Sequence, residues 1–128
     1  MNILIVDDQP TDLKLLHTQL EAEGHVVFEA CDGVKALAVL QRQSVDAVIS
    51  DILMPRMDGL ALVRQLNADP DTRDIHVVAV TCYAEQYPKA AALAAGCDAY
   101  LLKPISTREL SGQLTAVAEG GGGSQLAG

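Results

Sequence analysis

The sequence predicts an α/β protein, a three-layer, doubly wound (βα)5 sandwich with helices on both sides of a five-stranded parallel sheet. Five short apolar runs alternate with five segments whose apolar residues recur at helical spacing. Strands separated by crossover helices pair in parallel, and strands that are almost entirely apolar are buried on both faces. The 128 residues, of which 49% are hydrophobic and 20% charged, suit one globular domain.

The first two strands and helices occupy the N-terminal third of the chain. Ile3 to Val6 and Val26 to Ala30 are the predicted strands. Pro10 suits the first turn of the helix between them, where its missing N–H is not needed, and Gly24 ends that helix. Asp32 is placed to cap the second helix. The apolar faces of these two helices are expected to carry Leu13, Leu16 and Leu20, and Val34, Leu37 and Leu40.

The remaining three strands are predicted at Val45 to Ser50, Ile75 to Val80 and Ala99 to Leu102. An alanine-rich helix from about Glu85 to Ala95 is expected to stop at Gly96, and Ser106 is placed to cap the last helix. The third and fifth helices carry their apolar residues at Leu60, Val63 and Leu66, and at Leu110, Leu114 and Val117. Residues 1–118 are predicted to form the domain, and the glycine-rich residues 119–128 a flexible tail or linker.

Composition argues against several functions. The formal net charge of −8 disfavours direct nucleic-acid binding, because an acidic surface repels the phosphate backbone. Cys31, Cys82 and Cys97 show no CxxC spacing and are typical of thiols in a reducing compartment. The opening residues MNILIVDD are too acidic for a signal peptide, and no apolar run approaches the roughly 20 residues that cross a membrane. We therefore expect a cytoplasmic protein without a membrane partner.

Charged and hydroxyl side chains follow four of the five predicted strands. They are Asp7 and Asp8 after the first strand, Asp51 after the third, Thr81 after the fourth and Lys103 after the fifth. Each alone has an ordinary explanation, such as capping for the acids, β propensity for the threonine and solvation for the lysine. Together, however, they are expected to meet at the carboxyl ends of parallel strands, where sheets of this type bind ligands.

The chemistry of these side chains suits phosphoryl transfer to a carboxylate. Three carboxylates and one ammonium have a formal charge of −2, and their repulsion favours a bound cation. Mg²⁺ fits because it prefers hard oxygen ligands. A carboxylate can attack phosphorus and become an aspartyl phosphate, while the metal screens the repulsion between the two anions. Lys103 would pair with the phosphoryl group, and the Thr81 hydroxyl would donate to one of its oxygens.

Four fragments carry a resemblance to a known family: ILIVDD at the first strand, DILMPRMDG after the third, AVT at the fourth and YLLKP at the fifth. In this order and at these spacings, from Asn2 to about Ala118, they resemble the receiver domain of bacterial two-component response regulators. The resemblance implies a flavodoxin-like sheet of strand order 2-1-3-4-5. It also implies that the domain is not an enzyme for a separate substrate, since it catalyses only its own phosphotransfer and autodephosphorylation.

The resemblance assigns the acidic residues one by one. Asp51 resembles the phosphoacceptor. Asp7 and Asp8 resemble the acidic pair that holds Mg²⁺ together with Asp51 and the backbone carbonyl of Leu53, and Mn²⁺ could substitute for Mg²⁺. The implied phosphoryl donor is a sensor histidine kinase or a histidine phosphotransfer protein.

The resemblance also assigns the residues that respond to phosphorylation. Lys103 resembles the lysine that binds the phosphoryl group, and its bond to Pro104 is expected to be cis. Thr81 and Tyr100 resemble the switch pair, in which the hydroxyl moves toward the phosphate and the aromatic ring turns inward. The implied output, to a domain or effector, uses the face built by the fourth helix, fifth strand and fifth helix, and homodimerisation stays open.

Three positions are expected to set the lifetime of the phosphorylated form. Cys82 follows the switch threonine and narrows access to the site. Leu53, two residues after Asp51, and Tyr83, two residues after Thr81, flank the path of an attacking water. Because both are bulky and Leu53 offers no side-chain hydrogen bond, we hypothesise that the phosphorylated form is long-lived.

Two alternatives remain from the residues. An aspartyl-nucleophile phosphatase of the haloacid dehalogenase type places a DxD motif after its first strand, whereas this chain has DDQPT and no cap domain. A phosphorylation-independent interaction module of the same fold would lack an acid or the lysine, whereas all five groups are present here. Turnover of small phosphoesters would identify the first alternative, and failure to bind Mg²⁺ the second.

Overall fold

The computed structural model describes residues 1–52 and 59–118, except for the side chains of residues 107, 117 and 118. Strands and helices alternate as the sequence predicts. The elements are β1 (Asn2–Val6), α1 (Pro10–Ala22), β2 (Val26–Ala30), α2 (Gly33–Arg42), β3 (Ala47–Asp51), α3 (Gly59–Ala68), β4 (His76–Thr81), α4 (Lys89–Ala95), β5 (Ala99–Leu102) and α5 (Thr107–Ala118). Within the described ranges, every helix is too short or too polar to cross a membrane.

The five strands form one parallel sheet in the order β2-β1-β3-β4-β5, which confirms the expected order. Ile5 of β1 lies opposite Ile49 of β3, which in turn lies opposite Val78 of β4. The chain runs from β1 outward to β2 and then returns to β3 on the other side of β1. The topological switch point therefore lies between β1 and β3, and a ligand site is expected at their carboxyl ends.

The core has two halves, one on each face of the sheet. The prediction that the strands are buried on both faces is confirmed for β1, β3 and β4, but it is wrong for the edge strand β2, whose residues are mostly exposed or partly buried. On one face, Leu4 and Val48 pack with residues of α2, α3 and α4 such as Leu62. On the other face, Ile5 and Ile49 pack against α1 and α5, with the side chains of Leu20 and Leu110 almost fully buried. Alternate residues of each strand thus serve opposite faces, and both layers of helices are held by aliphatic contacts.

Three predicted helix boundaries depend on capping, and the structure confirms them. The Asp32 carboxylate accepts a hydrogen bond of 2.8 Å from the backbone N–H of Lys35 at the start of α2. The Ser106 hydroxyl accepts from the backbone N–H of Glu109 at 3.4 Å at the start of α5. Gly96 ends α4 with φ 115°, a left-handed conformation that favours glycine.

The fourth helix is shorter than predicted. It begins at Lys89 rather than near Glu85, because Pro88 has extended backbone angles and proline disfavours a helical conformation in the residue before it. The preceding residues form turns instead, in which the backbone N–H of Tyr87 donates to the Tyr83 carbonyl at 2.8 Å. The prediction followed the alanine-rich pattern and gave the proline too little weight.

The prediction that Val34 lies on the apolar face of α2 is wrong. Val34 is 50% exposed, whereas Gly33 and Ala36 are buried and Leu37 and Leu40 are partly buried. Positions at i, i+3, i+4 and i+7 share one side of a helix, and this set begins at residue 33. The predicted stripe took steps of three residues only, and such a stripe drifts around the helix.

Candidate functional site

The carboxyl ends of four strands bring the predicted polar residues to one edge of the sheet. Asp7 follows β1 directly, and Lys103 follows β5. Asp51 is the last residue of β3 and pairs with Val80 of β4, so the strand extends one residue beyond its predicted end. Thr81 is likewise the last residue of β4 and is fully buried. The parallel pairing of β1, β3, β4 and β5 therefore determines which side chains share this edge.

Three carboxylates lie close enough to share one cation. Oxygen atoms of Asp7, Asp8 and Asp51 all lie within 4.8 Å of one another. The side chains of Asp7 and Asp51 are only 12% and 10% exposed. Asp7 Oδ1 accepts a hydrogen bond of 2.9 Å from the backbone N–H of Gln9, and this bond orients the carboxylate. Hard oxygen donors held this close together fit Mg²⁺, which takes carboxylate oxygens and completes its coordination with water.

The Lys103 ammonium lies among the acids. Its Nζ contacts Asp7 Oδ2 at 2.8 Å, Asp12 Oδ2 at 3.1 Å and Asp51 Oδ2 at 3.4 Å. Burial lowers the pKa of Lys103, but the hydrogen bonds to Asp7 and Asp12 and the charge of Asp51 raise it by more, so it lies above the usual value for lysine. The group therefore stays cationic, and its N–H groups can pair with the oxygen of an anion that has entered the site.

The environment of Asp51 disfavours an isolated negative charge. Burial, together with the charges of Asp7 and Asp8, raises the pKa of the Asp51 carboxyl to about 6, although Lys103 acts in the opposite direction. A bound cation would favour the ionised carboxylate and reverse this shift. The arrangement thus combines a partly buried nucleophile with acids that would hold a metal beside it.

Thr81 and Tyr100 both hold the segment between β4 and α4. The Thr81 hydroxyl accepts from the backbone N–H of Tyr83 at 2.9 Å. The Tyr100 hydroxyl donates to the backbone carbonyl of Tyr87 at 2.6 Å, and its ring is partly buried. Among the described residues, neither hydroxyl is hydrogen-bonded to Asp51. The predicted switch pair is therefore connected through this segment.

The other predicted positions are distributed around the site. Cys82 and Tyr83 are exposed, Tyr83 by 49%. The Lys103–Pro104 peptide bond is cis. Leu53 lies outside the described residues, so its expected roles as a metal ligand and in controlling hydrolysis stay predictions.

The structure adds two residues that the sequence prediction missed. Asp12, the third residue of α1, reaches Lys103 from the first turn of that helix; its place in the helix that directly follows β1 was the available signal. Gly59 begins α3, and its N–H donates to the Ile52 carbonyl at 2.6 Å. A Cβ at Gly59 would overlap the Asp51 carbonyl oxygen and lie 2.7 Å from Ile52 Cα, so only glycine fits unstrained against the acceptor.

Comparison with known proteins identifies one family. The family model described as the response regulator receiver domain matches residues 3–115. Protein PilH of Pseudomonas aeruginosa is 36% identical over 118 residues, which are 92% of this chain and 98% of PilH. Response regulator PleD of Caulobacter vibrioides is 40% identical over 103 residues, which are 80% of this chain but only 23% of PleD.

Solved structures agree. The signal receiver domain of a histidine kinase from Syntrophus aciditrophicus has a TM-score of 0.86 and 32% identity, and the match covers 98% of this chain and 94% of that one. The receiver domain of a sensor histidine kinase from Pseudomonas aeruginosa, with magnesium coordinated in its active-site cleft, has a TM-score of 0.83 and 30% identity. That match covers 91% of this chain and 97% of the other.

Proposed function

Because the chain belongs to the response regulator receiver family and functions as a two-component receiver, we propose that Asp51 accepts a phosphoryl group from a phosphohistidine. The donor is a sensor histidine kinase or a histidine phosphotransfer protein. The observation that carries this assignment is the position of Asp51, which lies at the switch point in one cluster with two further carboxylates and the Lys103 ammonium.

Hydrogen bonding favours Asp51 over Asp7 as the nucleophile. Both oxygens of Asp7 are engaged, one by the Gln9 N–H at 2.9 Å and one by Lys103 at 2.8 Å. Asp51 has the longer contact to Lys103, 3.4 Å, through Oδ2. Among the described residues, no donor contacts Asp51 Oδ1, so attack by this oxygen breaks no hydrogen bond within that part of the chain.

In the proposed reaction an oxygen of Asp51 forms a bond to phosphorus as the bond from phosphorus to the donor's histidine nitrogen breaks, and the electron pair of that bond stays on nitrogen. Asp7, Asp8, Asp51 and the backbone carbonyl of Leu53 would hold Mg²⁺, or Mn²⁺ in its place. The metal supplies positive charge that screens the repulsion between two anions. Lys103 pairs with the transferred group, and Thr81 donates to one of its oxygens.

Access for the donor is open on one side of Lys103. A groove of about 600 Å³ runs beside it, lined by residues that include Leu15, Leu16 and Ile105. Leu15 is 67% exposed. Apolar walls next to an acidic site suit a protein partner that brings its own phosphorylated side chain into the site.

The proposed readout uses the face of α4, β5 and α5. Tyr100 of β5 couples that face to the site through Tyr87, and Leu93 of α4 and Leu102 of β5 are 43% and 49% exposed. Phosphorylation adds negative charge at Asp51 and favours one of two states of this region. An output domain or effector would bind the favoured state, in the cytoplasm, and a second copy of the chain could use the same face.

The test is labelling by acetyl phosphate or by a phosphorylated kinase domain in the presence of Mg²⁺. Asp51→Asn should abolish labelling, whereas Asp71→Asn, which makes the same charge change in an exposed loop, should not affect it. Undiminished labelling of Asp51→Asn would show that another residue accepts the phosphoryl group. A wild type that neither binds Mg²⁺ nor becomes labelled would favour the phosphorylation-independent interaction module.

A further inference from the structure

A fourth carboxylate contacts the site from helix α1. Asp12 Oδ2 lies 3.1 Å from Lys103 Nζ, and the Asp12 side chain is 45% exposed, compared with 10% for Asp51. Asp12 does not belong to the group of described residues whose oxygens could share one metal ion. It therefore approaches the lysine from the solvent side and is separate from the proposed metal ligands.

The Lys103 ammonium has three N–H donors, and the structure directs them to three carboxylates. Two of these, Asp7 and Asp51, are shared with the metal group, and Asp51 is also the proposed acceptor. Asp12 is the remaining partner, with no other task among the described contacts. A phosphoryl oxygen that binds Lys103 must therefore compete with a carboxylate already in contact with it.

We propose that Asp12 is a positioning residue that tightens the binding of the metal and weakens the binding of the phosphoryl group. This proposal rests on the proposed function. Asp12 acts on the metal through its charge. It acts on the phosphoryl group through charge repulsion and by occupying one donor of Lys103. The balance between the metal-loaded and the phosphorylated forms then depends on a residue of α1 that neither binds the metal nor accepts the phosphate.

The charge of Asp12 explains why it would affect metal binding and phosphoryl binding in opposite directions. Four carboxylates and one ammonium give the cluster a formal charge of −3, so a divalent cation is attracted and a further anion is repelled. The contacts of 3.1 and 3.4 Å to one nitrogen place the Asp12 and Asp51 oxygens no more than about 6.5 Å apart. At this distance a unit charge changes the binding of another by about threefold in water, and of a divalent ion by about tenfold.

The experiment compares wild type with Asp12→Asn in two titrations. Calorimetry with Mg²⁺ alone should show about tenfold weaker binding by the variant. Titration with beryllium trifluoride, a phosphoryl mimic, at saturating Mg²⁺ should show about threefold tighter binding. A residue that only supports the structure would weaken both. Both differences should shrink as salt is raised, because Asp12 is partly exposed.

Two control variants separate the charge from other effects. Glu109 is the third residue of α5, as Asp12 is of α1, and it is exposed. Glu109→Gln therefore makes the same charge change at the same place in a helix, and should leave both affinities within about twofold. Asp12→Glu keeps the charge, and its Mg²⁺ affinity should stay within about threefold of the wild type.

The outcomes distinguish this inference from the function on which it rests. A wild type that binds neither Mg²⁺ nor the mimic overturns both. A wild type that binds both ligands, with an Asp12→Asn variant that is unchanged or shifted in the same direction for both, overturns the role of Asp12 alone. Weaker Mg²⁺ binding together with tighter binding of the mimic in Asp12→Asn, with neither change in Glu109→Gln, supports the role of Asp12. The reverse pair of changes overturns it.

Discussion

Gly59→Ala should destabilise the fold and disturb the acceptor end of β3. A Cβ at this position would overlap the Asp51 carbonyl oxygen and lie 2.7 Å from Ile52 Cα. Both obstacles are backbone atoms, one in the last residue of β3 and one in the residue after it, and they cannot rotate away as the end of a side chain could. Overpacking of this kind costs about 1–3 kcal/mol. Alanine recovers less than about 1 kcal/mol as a better helix former, so we expect a net loss of about 1–2 kcal/mol.

Gly112→Ala is the matched control, because the same substitution is expected to raise the free energy of unfolding at this position. Gly112 lies inside α5, and a Cβ there would meet nothing within 4 Å. The variant should gain about 0.5–1 kcal/mol, as alanine does in an exposed helix interior. Urea unfolding followed by circular dichroism measures both changes, and an unchanged m-value would show that the surface exposed on unfolding is the same in each variant.

The two variants should also differ at the site. Movement of the β3 end displaces Asp51, so Gly59→Ala should weaken Mg²⁺ binding measured by calorimetry, and Gly112→Ala should not. If Gly59→Ala were as stable as the wild type and bound Mg²⁺ equally well, close contact at Gly59 would not be what positions the acceptor.

Three further predictions concern single residues. Because burial raises the pKa of Asp51 to about 6, protons should compete with Mg²⁺, and affinity measured by calorimetry should fall below that pH. In the metal-free protein the folded state keeps a proton that the unfolded chain releases, so stability should decrease as pH rises from about 4 to about 6 and then level off. His76 is 5% exposed and, among the described residues, neither ring nitrogen has a hydrogen-bond partner. His76→Leu should therefore raise the free energy of unfolding by about 1 kcal/mol. A decrease of about the same size, measured by urea unfolding, would show that the imidazole makes a hydrogen bond in the folded protein. Leu53→Asn should shorten the lifetime of the aspartyl phosphate several-fold by offering a hydrogen bond to the attacking water; a wild-type half-life of seconds, unchanged in the variant, would contradict the hypothesis of a long-lived form.

The sequence was sufficient for the sheet and for most of the site because both depend on local patterns. Runs such as Ile3 to Val6 are apolar on both faces, and this alone predicts a buried parallel strand. In such a sheet the residue after each strand must lie at the carboxyl edge, so Asp7 and Lys103 could be placed together although they are far apart in the chain. No contact had to be known in advance.

Contacts between elements could not be predicted in this way. Asp12 meets Lys103 because tertiary packing brings the first turn of α1 beside the carboxyl edge of the sheet, and an acidic residue in the first turn of a helix is otherwise common. Gly59 matters because the backbone of α3 approaches Asp51, which depends on tertiary packing. The start of α4 is different, because Pro88 is visible in the sequence and a proline disfavours helix in the residue before it even where alanines favour helix.

That late start of α4 bears on how a signal would leave the site. The residues between β4 and α4 form turns, held at one end by the Thr81 hydroxyl through Tyr83 N–H and at the other by the Tyr100 hydroxyl through the Tyr87 carbonyl. A hydroxyl can accept one hydrogen bond and donate another, so Thr81 can bind a phosphoryl oxygen and keep Tyr83. If Thr81 moves toward Asp51, it must then draw this segment with it and alter the contact to Tyr100. A helix that began at Glu85 would join this segment to the rest of α4 through a continuous series of backbone hydrogen bonds, whereas the turns are closed by bonds to the Tyr83 carbonyl and end at Pro88. The proline that shortens α4 therefore makes the connection between Asp51 and the proposed output face easier to move.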